Sequence, residues 1–110
     1  MKRVYKYPIN SKPWYGPPIK KILGAAFQND ILCAWCEVED DSMTSYVNNR
    51  WLLYPTGIPV HGTHAFSVGH FGKAYVWHIY HYEAPEVPEE RTVDTDEILD
   101  DLRASEVMIF

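Results

Sequence analysis

The chain has 110 residues, 46% of them hydrophobic, 15% aromatic and 23% charged, with a formal net charge of −5. That length supports one domain's core, and the composition excludes a largely disordered chain. No apolar run approaches the ~20 residues of a membrane span, and Met1-Lys2-Arg3 is not followed by the apolar stretch of a secretory leader, so a cytoplasmic protein is expected.

Val4, Tyr5 and Tyr7 favour a first strand, and Pro8 ends it or places it at an edge. The segment Pro13-Trp14-Tyr15-Gly16-Pro17-Pro18 is a connector that cannot be helix. Ile19 to Phe27 and Ile31 to Glu39 read as two strands of a hairpin turning at Asn29-Asp30. Both faces of the second are largely apolar, which predicts a central strand. Asp40 to about Asn49 is expected as a loop, followed by a strand over Arg50–Tyr54 and a turn at Pro55-Thr56-Gly57. Ile58-Pro59-Val60 continues in extended form, and His61-Gly62-Thr63 turns again. Phe66–Phe71 and Tyr75–Tyr82 are expected as a strand pair joined near Gly72-Lys73. Pro85 and Pro88 flank an acidic linker. Asp94 and Glu97 fit a D-x-x-E capping box, opening a short helix over 95–104 with Ile98, Leu99 and Leu102 on one stripe. A helix this short does not stand alone in water, so that stripe must dock on the body or on a second copy. Val107 to Phe110 is an apolar end that tucks into the core or pairs with a neighbour's sheet edge. The fold class predicted is α+β: one small domain, mainly antiparallel sheet of about six strands in a roll or partly open barrel, with one short C-terminal helix.

Charge divides the chain unevenly. Residues 1–82 carry eight Lys/Arg against five Asp/Glu, whereas residues 83–110 carry two Arg against ten Asp/Glu. This suggests a β domain over 1–82 followed by an acidic C-terminal segment over 83–110. Such a segment is either a solvating surface or one that competes for a basic partner.

Motifs that carry chemistry are few. Cys33-Ala34-Trp35-Cys36 is a C-x-x-C, but it lies inside a strand, where residues three apart face opposite sides and the sulfurs diverge. Two free structural cysteines are expected, in keeping with a reducing compartment. All five histidines fall between His61 and His81. Cys33, Cys36, His61 and His64 match a Cys2His2 set by type, and His61, His64 and His70 are a second grouping. The H-x2-H spacing is shorter than zinc sites use, so no metal and no cofactor is expected. His78 and His81 read as ordinary sheet residues, one inward and one outward. Glu37, Glu39, Asp40 and Asp41 read as a solvated loop. Phosphate-binding loops, dinucleotide glycine motifs, nucleophile elbows and H-E-x-x-H are all absent from the sequence, and no enzyme activity is expected.

The motif order resembles a family of short, uncharacterised proteins encoded by tailed bacteriophages. The matching segments are the V-Y-K-Y-P strand at Val4–Pro8, the Q-N-x-x-L-C-x-W hairpin within Ile22–Trp35, the T-G-x-P turn at Thr56–Pro59 and the V-W-H strand within Gly72–His78. Ile58 stands where that family's turn has histidine. The resemblance covers about residues 2–82 and implies a small β-rich phage protein acting in the cytoplasm of an infected bacterium. It assigns no catalytic residue.

By analogy with small phage proteins, the leading expectation is a stoichiometric inhibitor of a host defence effector of CRISPR or restriction type. Its acidic surface, with Asp94, Asp96, Glu97, Asp100 and Asp101, would occupy a basic nucleic-acid-binding groove. Trp14 and Tyr15, on a Pro-rich loop, would add an aromatic contact. No direct nucleic-acid or membrane binding is expected, and homodimerisation through the helix or Val107–Phe110 is allowed. A second expectation is sequestration of a small nucleotide immune signal by Arg50, Trp51, His61 and Lys73. A third is a structural or accessory virion protein.

Overall fold

The computed structural model describes residues 1–70, 75–89, 94–103 and 106–110. Its elements are β1 (Lys2–Pro8), β2 (Trp14–Gly16), β3 (Ile19–Gln28), β4 (Ile31–Glu39), a 3-10 turn (Met43–Ser45), β5 (Val47–Pro55), β6 (Thr63–His70), β7 (Val76–Tyr82), α1 (Thr95–Arg103) and β8 (Val107–Ile109). The fold is α+β and mainly antiparallel sheet. A three-stranded sheet has the order β1-β4-β3, and a five-stranded sheet the order β2-β5-β7-β6-β8. The two strands beyond the expected six are the three-residue edge pieces β2 and β8.

The β3–β4 hairpin forms where the sequence signals it. Asn29 and Asp30 both take positive φ, +51° and +64°, the requirement of a tight two-residue turn whose twist matches the strands. β4 is central, with Leu32, Ala34 and Cys36 turned into the common core. Cys33 and Cys36 are both free and buried, on opposite faces as the two-residue period requires. Burial pushes the Cys36 thiol up to about 12, so it is an inert packing group.

In β5 the same period sends Trp51 and Leu53 inward, opposite His81 and Ile79 of β7. Leu52 and Tyr54 point the other way and are also buried. The return at 56–62 lies against that side, where the His61 amide donates to the Tyr54 hydroxyl at 3.2 Å. Ile58-Pro59-Val60 forms no strand and is exposed.

The connector at 13–18 was expected to be a loop only. The Trp14 ring is instead half-buried against Tyr7 and Trp51, and β2 pairs with Val47–Asn49 of β5 to hold it there. That pairing also starts β5 three residues before the expected Arg50. β6 likewise begins at Thr63, because Gly62 brings the chain directly onto β7. Phe71, Gly72 and Lys73, and Ala104 at the expected helix end, lie outside the described residues.

Asp94 caps α1: its Oδ1 accepts from the Glu97 amide at 3.2 Å, and its carbonyl accepts from Ile98. Leu99 and Leu102 enter the core beside Ile9 and β4, and Ile98 is half-buried. β8 then adds to β6, with Val68 opposite Ile109 and His70 opposite Val107. The chain's own sheet thus takes up the apolar end, and the helix and β8 share the core of residues 1–82.

Gly62 has φ +89°, and a Cβ there would sit 2.3 Å from the His81 carbonyl oxygen. Gly57 has φ +99° with open space around it. Gly57→Ala should cost about 1–2 kcal/mol of backbone strain. Gly62→Ala should cost roughly 3 kcal/mol or more, because the strain and the clash combine. Urea midpoints of the two variants measure the difference; equal losses would remove the close approach as the reason for a glycine at 62.

Candidate functional site

A column of rings crosses the interior. Tyr7 of β1 stacks on Trp14 with centroids 4.8 Å apart, Trp14 lies 5.5 Å from Trp51, and Trp51 lies 5.7 Å from His81. His81 is 7% exposed, and its Nε2 lies 2.7 Å from Asn49 Oδ1. The Asn49 amide nitrogen faces the carbonyls of Val47 and Gly16, so Oδ1 accepts and His81 carries its proton on Nε2. Burial pushes the His81 pKa down to about 4. The same cause pushes the Tyr7 hydroxyl up to about 12.

This column separates the two residues of the expected aromatic contact. Trp14 is a member of it, facing inward, while the next residue, Tyr15, is 60% exposed and meets the Tyr46 ring at 5.7 Å. Neighbouring strand residues face opposite sides, so the two do not form one patch. The expected nucleotide set is divided in the same way. Trp51 is 0% exposed and lies in the core, beyond reach of a ligand. Arg50 lies on the outer face, and its Nε is buried without a hydrogen-bond partner among the described residues. His61 lies on that outer side, where its ring meets Tyr82. Lys73 lies outside the described residues.

The five acidic residues of the C-terminal segment separate by task. Asp94 is the helix cap. Asp96 accepts from the Ser11 amide at 3.0 Å and the Ser11 hydroxyl at 2.6 Å, pinning the first turn of α1 to the segment after β1. Glu97, Asp100 and Asp101 are exposed together around the half-buried Ile98. Asp100 pairs with Arg103 at 3.3 Å, an exposed contact worth little.

The other acidic group, at the end of β4, is tied up internally. Asp40 accepts from the Tyr5 and Tyr46 hydroxyls, Tyr46 at 2.8 Å, and these bonds hold its carboxyl below the ordinary value. The N-terminal ammonium of Met1 pairs with Glu39 and Asp41, and Lys2 with Glu37.

Two features were not legible in the sequence. A cleft of about 530 Å³ opens where the free edge of β3 meets the start of β6, lined by Lys20, Lys21, Ile22, Ala65, His81 and Glu83 among others. Lys20 and Lys21 form no ion pair among the described residues. On the outer face of the five-stranded sheet, a polar chain links His64, Ser67, His78 and Thr56. His64 Nε2 lies 3.0 Å from Ser67 Oγ, His78 Nδ1 lies 2.8 Å from the same oxygen, and His78 Nε2 lies 2.9 Å from Thr56 Oγ1. Of the histidines, His81 thus faces inward and His78 outward. Among the described residues, no three His, Cys, Asp or Glu converge, so neither Cys33, Cys36, His61 and His64 nor His61, His64 and His70 form a metal set.

No family model, curated protein or solved structure matches this chain. Among the described residues, no helix is long and apolar enough to cross a membrane.

His81 gives stability a definite pH dependence. Between pH 6.5 and about 4 the unfolded chain binds a proton there that the folded chain refuses. Its contribution is therefore full above pH 6.5 and falls as pH drops to about 4, by on the order of 3 kcal/mol. His81→Gln keeps a donor for Asn49 but does not titrate. Urea unfolding at pH 7.5 and 4.5 should show a smaller pH loss in the variant than in the parent, and an unchanged loss would assign the effect to other groups.

Proposed function

We propose that this chain is a non-catalytic binding protein that presents the acidic outer face of α1 to a basic, nucleic-acid-binding groove of a partner protein. The partner class is a host antiviral effector, and the setting is the bacterial cytoplasm during phage infection. The observation that carries this reading is the mounting of the helix. Asp94 caps it, Asp96 is tied to Ser11, and Leu99 and Leu102 are anchored in the core. Glu97, Asp100 and Asp101 therefore stand on a preorganised element, with Ile98 between them for apolar contact. Preorganisation lowers the entropy cost of association, and a dense anionic face steers a cationic partner.

The test is reversal of the three exposed carboxylates by Glu97→Lys, Asp100→Lys and Asp101→Lys in the full chain. All three are exposed and outside the core, so folding should survive. The parent, used as bait in lysate of infected cells, should retain a nucleic-acid-binding protein that competing nucleic acid or raised salt releases. The triple variant should bind it at least a hundredfold more weakly. Capture that is indifferent to the reversal and to competing nucleic acid would sink the proposal.

A second reading has its own observation. The seam cleft, with two lysines that form no ion pair among the described residues in a mixed polar and apolar lining, suits a small anionic ligand such as a nucleotide. On this reading Lys20 and Lys21, in place of the divided set of Arg50, Trp51, His61 and Lys73, would hold the ligand. Calorimetric titration with mono- and cyclic nucleotides should give saturable binding, lost in Lys20→Glu/Lys21→Glu and kept in the triple helix variant. Absence of binding by the parent would end this reading.

A further inference from the structure

β6 carries a bulge between His64 and Phe66. In an unbroken strand, residues three apart face opposite sides of the sheet. The extra residue, Ala65, reverses that parity and turns His64 to the side where Ser67 meets His78 across the β6–β7 pair. Bulges re-aim side chains in this way, often beside functional sites. Two imidazole nitrogens from different strands consequently point at one oxygen, both within 3.0 Å of Ser67 Oγ. The ring centroids are 6.3 Å apart and the planes 55° apart.

One hydroxyl hydrogen cannot serve both nitrogens, so at least one ring must donate to Ser67, whose oxygen can accept from either. A cation removes that restriction, because both nitrogens then offer lone pairs to one centre. Two imidazoles on a tetrahedral ion, with metal–nitrogen bonds of about 2.0–2.1 Å, have centroids roughly 5 Å apart. Closing from 6.3 Å requires about 1 Å in total, and His64 is exposed and free to supply most of it. Thr56 supports the arrangement from the outer shell. With His78 Nε2–H donating to Thr56 Oγ1, Nδ1 is left unprotonated and facing Ser67. Among the described residues no carboxylate or thiol completes a set of three with these histidines, which disfavours calcium and magnesium and selects the ions that imidazole suits.

We propose that His64 and His78, with Ser67 between them, hold a divalent transition-metal ion of the zinc and copper class. Ser67 Oγ and water fill the remaining positions, so the site is open and exchangeable. An ion there joins β6 to β7 and, through Thr56, to the turn after β5.

The full chain, treated with a chelator and then freed of it, is titrated with Zn²⁺ by calorimetry and with Cu²⁺ by electron paramagnetic resonance. One ion per chain is expected, with two imidazole nitrogens in the Cu²⁺ spectrum. His64→Ala should weaken binding at least tenfold; its exposure makes loss of folding no explanation, and circular dichroism checks this. His78→Ala should do the same, and His70→Ala should leave affinity unchanged. Binding no tighter than millimolar by the parent overturns the proposal. So does binding that persists in His64→Ala and His78→Ala, or binding that depends on His70.

Discussion

The ring column of Tyr7, Trp14, Trp51 and His81 runs from one sheet to the other within their common core. Tyr7 belongs to the three-stranded sheet, Trp51 and His81 belong to the five-stranded one, and Trp14 lies between them on an edge strand of only three residues. Removing Trp14 would take away a ring that Tyr7 of one sheet and Trp51 of the other both contact. Stacked and tilted rings add ~0.5–1.5 kcal/mol per pair beyond the area they bury. The column also sets the electrostatics of the interior. Burial disfavours a charged imidazole here, so His81 stays neutral and its one proton goes to Asn49. Asn49 in turn binds the backbone of β2 through the Gly16 carbonyl and so holds the strand that delivers Trp14. Packing, hydrogen bonding and protonation form one closed set here.

The C-terminal segment follows from that core. With the β1–β4–β3 sheet fixed, Ile9 and β4 offer an apolar surface at one end of the molecule, and Leu99 and Leu102 cover it. Nine helical residues are too few to fold alone, so the helix borrows stability from this docking and from the Ser11–Asp96 tie. The acidic composition of residues 83–110 is thereby split in two. Some carboxylates hold the helix in place, and the rest are displayed on its far side. Charge density alone would not have distinguished these tasks; hydrogen-bond geometry does.

Much of the fold was legible in the sequence because it rests on local signals. Asn29-Asp30, the double-sided apolar pattern of Ile31–Glu39, the aromatic run ending at Tyr82 and the Asp94 cap all act within a few residues of themselves. β2 and β8 were not legible as strands of this sheet, because three residues carry no period. They form only because a partner edge is in reach, β5 for one and β6 for the other. The loop expected up to Asn49 shortened for the same reason, since pairing with β2 recruits Val47, Asn48 and Asn49. Trp14 is half-buried: its proline-rich setting suggests exposure, whereas the area of an indole rewards packing against Tyr7 and Trp51.

The sites were less legible, and the cause is parity. Strand reasoning assigns faces by counting, and a single inserted residue inverts the count. His64 and Ser67 are three apart, so an even strand would separate them; the bulge at Ala65 brings them together. Nothing in Thr63-His64-Ala65-Phe66-Ser67 announces the insertion, since alanine fits a bulge and a regular position equally well. The insertion becomes necessary only in three dimensions. Gly62 must pass against the His81 backbone, which fixes where β6 begins, while Phe66 and Val68 must both face the core. The segment between these two constraints has one residue too many for a regular ladder. Ala65 absorbs the excess, and the side-chain chain from His64 to Thr56 is the consequence.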